Sequence, residues 1–512
     1  MPIPFTAAHP VAATSRLRQW GSRSENQLLV LLAVLAFFPL LFELGRNPVQ
    51  LWDESRLAVN AAQMVIKNNW LVPFYDAAPD HWNTKPPLLI WLQALSFKAF
   101  GFSTWALRLP TALASVTTVL VLYRFAARVL HRPLAGFFGA LILVTCAGYV
   151  KLHVARTADY DTLLTMWVTI GWVCFFQYLE NGRARHLYWV AGAFTAAVLT
   201  KSVAGLLSIP GLLLYALAQR KLRWLLRQPR LYAVGALSAA IIVGYYAGRE
   251  VLDPGYWQAV KYNDLSGRFL ENQGDSDRWD YYLQNMQKTT LASWLWVIAP
   301  AVLLSLTRTT GVVRRGAVLL LLFAGGWLVV VSASVSRHDW YDAPLYPALT
   351  LLMGLGLSIF YQDIMLLYLP RLSRWQGMAL QLTVVVGVFF FPYQAIMNQL
   401  IAERHSGFNI GSDGYLGRYL TKVVHEQPQL TELTVVGEDH YNAALFYYQL
   451  VYATQGVKTI NTSGTRASSL PTGTIAVVCD PVFRARLDSA FHTVQLHEEE
   501  PCQTLLLLPR TK

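Results

Sequence analysis

Charge is what this chain has least of. Asp, Glu, Lys and Arg supply 14% of its 512 residues while 54% are hydrophobic, whereas soluble domains run nearer a quarter charged. That balance excludes an ordinary soluble globular protein. Many stretches approach the ~20 apolar residues needed to cross a bilayer, so the chain reads as a polytopic membrane protein. Cysteine is also scarce: the four copies show no metal-binding spacing. Cys146 and Cys174 lie in apolar runs and read as packing residues. Cys479 and Cys502 lie in the tail, where a disulfide forms if the tail is outside the cytoplasm and a buried free thiol is the alternative for Cys479. The tail lacks a Gly-rich phosphate loop and a nucleophile elbow. Although the net charge is +12, no basic groove interleaved with aromatics is present, which excludes nucleic acid as a partner.

The positive charge has another use. Residues 1–396 hold 33 Lys and Arg against 19 acids, and residues 397–512 hold 9 against 11. The surplus falls in short loops between apolar runs, as the positive-inside rule requires. Eleven spans are expected, at about 28–44, 105–123, 134–150, 160–179, 187–200, 203–218, 231–248, 291–306, 316–334, 344–361 and 377–396. Residues 1–27 and the loops at 124–133, 180–186, 219–230, 307–315 and 362–376 together carry 18 Lys and Arg and three acids. The intervening loops carry Asp53, Glu54, Asp159, Asp161, Asp339, Asp342 and an acidic stretch at 250–280. This alternation predicts a cytoplasmic N-terminal segment (1–27), a membrane domain (28–396) whose outer loop 45–104 is the largest, and an extracytoplasmic tail (397–512). Residues 88–101 are apolar but short and contain Lys98. As a span they would invert every later loop, so an amphipathic helix along the outer surface is expected there.

The loop at 249–290 carries Tyr256, Trp257, Tyr262, Trp279, Tyr281 and Tyr282, either an interfacial aromatic belt or substrate contacts. In the tail, strand-like runs at 433–437, 458–461, 474–479 and 504–508 alternate with helix-like stretches near 414–426, 441–453 and 481–491. That pattern predicts a small α/β domain.

Ionisable groups at membrane depth are costly and point to function. Here they gather on the outer side: Asp53, Glu54, Arg56 and Lys85 in the first loop; Arg156, Asp159 and Asp161 at the fourth span; Lys201 between two apolar runs; Arg337, His338, Asp339, Tyr341 and Asp342 in SRHDWYDAPLYP. Singly each has a structural explanation. Arg156 and Asp161 could pair, Lys201 could punctuate a hairpin, and His338 could simply pack. As a set they suit one chemistry. A carboxylate can serve as general base toward a hydroxyl, and Lys and Arg can neutralise a phosphate leaving group. Pro86-Pro87 would fix the backbone beside Lys85. The residues fit glycosyl transfer from a polyprenyl phosphate.

The segments WDESR, KPPLLIWL, LRLPTALASV, RTADYDTLL, VLTKSVAG and WYDAPLYPALTLL occur in the order found in the aminoarabinose transferase and protein O-mannosyltransferase group of GT-C glycosyltransferases. The sequence resembles the bacterial branch of that group over roughly residues 28–360. The resemblance implies a GT-C membrane protein of about 11–13 transmembrane helices in a bacterial inner membrane. It implies Asp53 as catalytic base with Glu54 beside it, Asp161 as the second acidic residue preceded by Arg156, Lys85 on the donor phosphate, and Tyr341 before Pro-Leu-Tyr-Pro. Arg56, Lys201, Arg337 and His338 complete the expected substrate-binding set. Thr84 stands where relatives often carry Glu, which removes a carboxylate ligand there. A divalent metal remains open as a cofactor, with no ligand set assigned. Arg337 replaces a Lys, preserving charge but not shape, Ser202 replaces a Gly, and Asp159 and Asp339 replace residues that are commonly uncharged.

The expected activity is inverting transfer of a sugar from a polyprenyl-phosphate donor to a lipid, glycan or protein acceptor. The alternative is a secondary transporter, which also has about a dozen spans. That reading calls for midplane charges and internal repeats, whereas these charges lie at span ends and no repeat is evident. A non-catalytic scaffold would not explain Asp53, Lys85 and Arg337 occurring together.

Overall fold

The computed structural model describes residues 11–151, 153–266, 276, 278–406, 412–438 and 441–510. Part of the polar stretch at 250–280 and the first ten residues of the N-terminal segment lie outside the described residues. Among the described residues, seven helices are long and apolar enough to cross a membrane: Thr104–Val129, Tyr160–Asn181, Ala184–Leu206, Pro229–Leu252, Gly311–Ala333, Ala343–Arg371 and Arg374–Ala402. An eighth candidate, Tyr281–Thr290 with Leu295–Thr307, bends by 110°. Shorter apolar helices cover Glu25–Leu41, Pro133–Val144 and Ile209–Ala218. Each of the eleven expected spans therefore falls on an apolar helix, but not always with the expected length.

At 134–150 the helix ends early, at Val144. Thr145 Oγ1 caps it by donating to the carbonyls of Leu141 (2.8 Å) and Ile142 (3.1 Å). The chain then turns sharply, and Gly148 lies so close to Tyr346 that a Cβ there would come within 2.4 Å of the ring. The released residues 145–151 and 153–159 lie outside any long helix and bring His153, Arg156 and Asp159 to the site described below.

Residues Leu88–Phe100 are helical as expected, but the helix is not amphipathic. Leu89, Ile90, Ala94 and Phe97 are buried, yet the outward face carries Leu95 and Phe100. The polar Gln93 points inward and donates to the carbonyl of Ala158 at 2.9 Å.

Two short strands, β1 (Phe74–Tyr75) and β2 (Ala78–Pro79), pair as a hairpin in the first loop. The tail forms a five-stranded sheet of β3 (Glu432–Gly437), β4 (Lys458–Ser463), β5 (Ile475–Val478), β6 (His492–Glu499) and β7 (Cys502–Leu508), in the order β4-β3-β5-β7-β6. β4, β3 and β5 are parallel, and β7 and β6 join antiparallel. β6 was not expected; its HTVQLHEE sequence is polar and largely exposed at the sheet edge. Cys479 and Cys502 form a disulfide, the first of the two alternatives for Cys479.

Strand periodicity sends alternate residues to opposite faces. Val436, Ala476, Val478, Leu505 and Leu507 pack with Leu487 and Phe491 of the helix on one face. Leu433, Val435 and Val477 face the helices 412–426 and 443–453, and their core continues into Leu57, Ala61, Leu89 and Phe97 of the first outer loop. The tail and that loop share one hydrophobic core.

Candidate active site

The helix Asp53–Lys67 opens at a strained point. Trp52 precedes it with φ 75°, a left-handed conformation that a bulky side chain rarely adopts. Asp53 is half-buried, while Glu54 is completely buried. Arg108 grips Glu54 through Nε (2.7 Å) and Nη2 (2.8 Å). The same carboxylate accepts the amides of Ala158 and Gln50, both at 2.8 Å. Arg108 also donates to the carbonyls of Leu44, Asn47 and Pro48. Glu54 thus joins the end of the first span, the helix at 104 and the loop before 160. Its geometry is that of a positioning group.

Arg56 has a comparable task in the loop. Its guanidinium binds both oxygens of Asp80 at 2.7 Å and lies 3.6 Å over the Tyr75 ring. Asp80 also accepts from Asn60 and from the amides of Trp82 and Asn83. Burial alone would raise the Asp80 carboxyl, but Arg56, Asn60 and the Asn83 amide hold it below the ordinary range. Asn83 is tied to Asn60 (2.8 Å) and to the Tyr160 hydroxyl (2.9 Å). The carbonyl of Thr84 accepts from Tyr256 at 2.7 Å. This network fixes the segment that presents Lys85.

Lys85 is buried, with Nζ 5.2 Å from the Tyr160 ring centroid. It lines a cavity with Asp161, Lys201, Ser202, Asp264, Trp327, Ser336 and Tyr341. Lys201 reaches both oxygens of Asp161 at 2.6 Å and stands 4.8 Å over the Tyr341 ring. The suggested Arg156–Asp161 pair is therefore replaced by Lys201–Asp161. Arg156 instead donates to the carbonyls of Pro39 (3.4 Å) and Phe42 (3.1 Å), anchoring its loop to the first helix. Arg337 donates to the carbonyl of Ser332 (3.0 and 3.2 Å) and to that of Ser276 (3.3 Å), bracing the wall beside Ser336. His338 stacks on Trp340 at 4.9 Å and meets Tyr341 edge-on. Of the loop aromatics, Tyr256 and Tyr282 are buried and bonded to the carbonyls of Thr84 and His338, while Trp257, Tyr262 and Trp279 are exposed.

The sequence did not single out His153. Its Nδ1 is 3.0 Å from Asp159 Oδ2, and its ring stacks on Trp340 at 3.8 Å. Burial would lower its pKa, but Asp159, then Asp53 and Asp161, raise it to about 9. Burial raises Asp159, and His153 opposes that rise. One ligand atom each from Asp53, His153 and Asp159 lies within 4.8 Å of the others. Two carboxylates and an imidazole fit a divalent cation, with the ring's proton as competitor. The structure also adds Arg108, Asp80, Tyr160 and Asp264 to the expected residues. Arg108 had a signal: it lies in the LRLPTALASV segment, a charge at the start of an apolar run.

Residues 84–246 match the family model for dolichyl-phosphate-mannose-protein mannosyltransferase. An undecaprenyl phosphate-alpha-4-amino-4-deoxy-L-arabinose arabinosyl transferase of Pseudomonas savastanoi pv. phaseolicola is 27% identical over 271 residues, 51% of this chain and 49% of that protein. The chain thus spans about half the length of that curated relative. The crystal structure of ArnT from Cupriavidus metallidurans bound to undecaprenyl phosphate superposes with a TM-score of 0.67 at 18% identity, covering 94% of this chain and 97% of that one. The archaeal oligosaccharyltransferase AglB from Archaeoglobus fulgidus, in complex with an inhibitory peptide and a dolichol-phosphate, gives a TM-score of 0.53 at 13% identity, with 86% and 65% covered. Residues 84–246 thus resemble the dolichyl-phosphate-mannose-protein mannosyltransferase family, and the chain shares its fold with ArnT.

Proposed function

We propose that this protein is an inner-membrane glycosyltransferase that moves a sugar from a polyprenyl phosphate to an envelope acceptor with inversion. The observation that carries this reading is the placing of Lys85, Lys201 and Asp161 around one cavity, with Asp53 close to Asp159 only two residues from Asp161. The acceptor oxygen attacks the anomeric carbon and its proton passes to the Asp53 carboxylate. The new C–O bond forms on the face opposite the leaving group. The bond from the anomeric carbon to the phosphate oxygen breaks, and its electron pair stays on the phosphate. Lys85 stabilises that charge. Lys201 meets the phosphate and Asp161 the sugar side of the donor, and Arg337 acts through the wall it braces. Glu54 and Arg56 hold Asp53 and Lys85 in register. A divalent ion held by Asp53, His153 and Asp159 would offset the charge of the two carboxylates.

The disulfide between Cys479 and Cys502 supports an extracytoplasmic tail, and the loop charges support a cytoplasmic N-terminus. The full-length protein in nanodiscs, given a radiolabelled polyprenyl-phosphate sugar and an envelope extract, is expected to release polyprenyl phosphate. Asp53→Asn should abolish release without altering the melting temperature; retained release removes Asp53 from the mechanism. Lys85→Ala should raise the half-saturating donor concentration, and an effect on acceptor alone contradicts the phosphate assignment. A reporter fused after Arg128 should read cytoplasmic, and an external reading overturns the topology.

A further inference from the structure

Directly before Asp53, three aromatic rings from two distant parts of the chain are stacked. Trp52 lies on Tyr441 with centroids 5.6 Å apart and planes at 25°, and Tyr441 lies on Tyr75 at 6.0 Å and 24°. Tyr441 belongs to the tail, just before the helix Ala443–Ala453, while Trp52 and Tyr75 belong to the first outer loop. Arg56 threads the array, 3.6 Å over Tyr75, 5.3 Å from Trp82 and 3.5 Å from the Tyr441 hydroxyl.

Packing does not account for Trp52. The side chain is 60% exposed although one face is covered by Tyr441, so its other face is open. It is also held at φ 75°, a conformation that costs of order 1–3 kcal/mol and persists where surroundings enforce it, chiefly at functional sites. A membrane-interface anchor would need neither the strained backbone nor the ring from the tail. What the strain achieves is placement, because the open indole face is set one residue from the base. The rim is polar, with Arg56 and the Tyr441 hydroxyl at hand.

We propose that Trp52, Tyr441 and Tyr75 form the acceptor subsite, and that its occupant is the sugar ring of a glycan or glycolipid rather than a protein serine or threonine. This rests on the transferase reading above. A pyranose has an apolar C–H face that suits the open indole and a rim of hydroxyls that suits Arg56 and the Tyr441 hydroxyl. A threonine hydroxyl on an extended peptide presents no such face. On this assignment the tail takes part in acceptor selection, and Trp52 and Tyr441 are binding residues of the reaction.

The test uses full-length protein in nanodiscs, a radiolabelled polyprenyl-phosphate sugar, and envelope extract separated into glycolipid, glycan and protein fractions. Label should appear in the glycolipid or glycan fraction. Trp52→Ala and Tyr441→Ala should each raise the half-saturating amount of that fraction about tenfold, the equivalent of one aromatic contact, with half-saturation by donor unchanged. Trp52→Phe keeps a ring and should stay near the parent, while Tyr441→Phe keeps the stack but loses the hydroxyl and should fall between the parent and the alanine variant, which separates loss of stacking from loss of folding. Label in the protein fraction overturns the proposal. So does an unchanged acceptor dependence in the alanine variants, or an equal rise for donor. If the parent protein releases no polyprenyl phosphate from its donor, the transferase reading itself fails, a result distinct from any of these.

Discussion

Two buried ion pairs show how differently similar chemistry is used in this protein. Glu54–Arg108 is sealed. Both carboxylate oxygens are engaged, and the guanidinium is shared with three carbonyls. Lys201–Asp161 is as tight, at 2.6 Å, but it opens into the cavity that Lys85 also lines. The first pair ties three chain segments together. The second leaves a cation and an anion where a ligand can meet them. Distance and burial do not distinguish the two; access does.

Removing one partner of the sealed pair should have the largest effect on folding. Glu54→Gln or Arg108→Met leaves an uncompensated buried charge or its unmet partners, a loss of about 3–5 kcal/mol. The variants should be recovered in low yield with a lowered melting temperature. Replacing both residues by apolar groups of similar volume should restore much of the stability, because a satisfied apolar joint can stand in for a satisfied ionic one. A double variant as unstable as the singles would mean the pair does more than join segments.

The open pair should respond in the opposite way. Lys201→Met should lower the melting temperature less than the sealed pair's variants do, since the cavity gives Asp161 access to water, but should cut turnover about a hundredfold, the order seen when one preorganised donor is removed from a reacting site. Combining it with Asp161→Asn should not restore turnover, since the ligand loses both groups. Rescue by the double variant would place this pair with the structural ones.

Arg56–Asp80, a third buried pair, sharpens the comparison at smaller amplitude through its pH dependence. The folded Asp80 carboxyl is held below its ordinary pKa. Its stabilisation is therefore complete above the unfolded value near ~4, and is lost as pH falls through the lower folded value. Amide protection at Trp82 and Asn83 should drop in acid, measured by hydrogen exchange corrected for the intrinsic rate. Asp80→Asn should abolish that pH dependence.

Much of the architecture was legible because bilayer physics is one-dimensional. Apolar length and loop charge can be read along the chain, and every expected span falls on an apolar helix. Lengths failed where tertiary contacts intervened, as at Thr145 and Gly148. The apolar Leu88–Phe100 was read as amphipathic because it is short, contains Lys98 and as a span would invert every later loop, whereas its one other polar residue of note, Gln93, reaches inward to Ala158. β6 escaped because its polar edge-strand sequence lacks apolar alternation. At the site, the charged residues could be named but not paired. Asp161 finds its cation 40 residues away and Glu54 finds Arg108 across 54, separations that no local spacing encodes. The part played by His153 was hidden for the same reason.

The core shared by the first outer loop and the tail also sets a schedule for biogenesis. The loop that carries Asp53 and Lys85 leaves the ribosome well before the tail segments that cover it. At roughly 5–20 residues per second, the interval is on the order of tens of seconds. During that time Leu57, Leu89 and Phe97 have no tail to cover them, and Tyr441 has not yet been joined to the chain. The loop is thus completed only once the tail segments that cover it have been made, and on the proposed reading a chain that lacks them would be inert toward a polyprenyl-phosphate sugar.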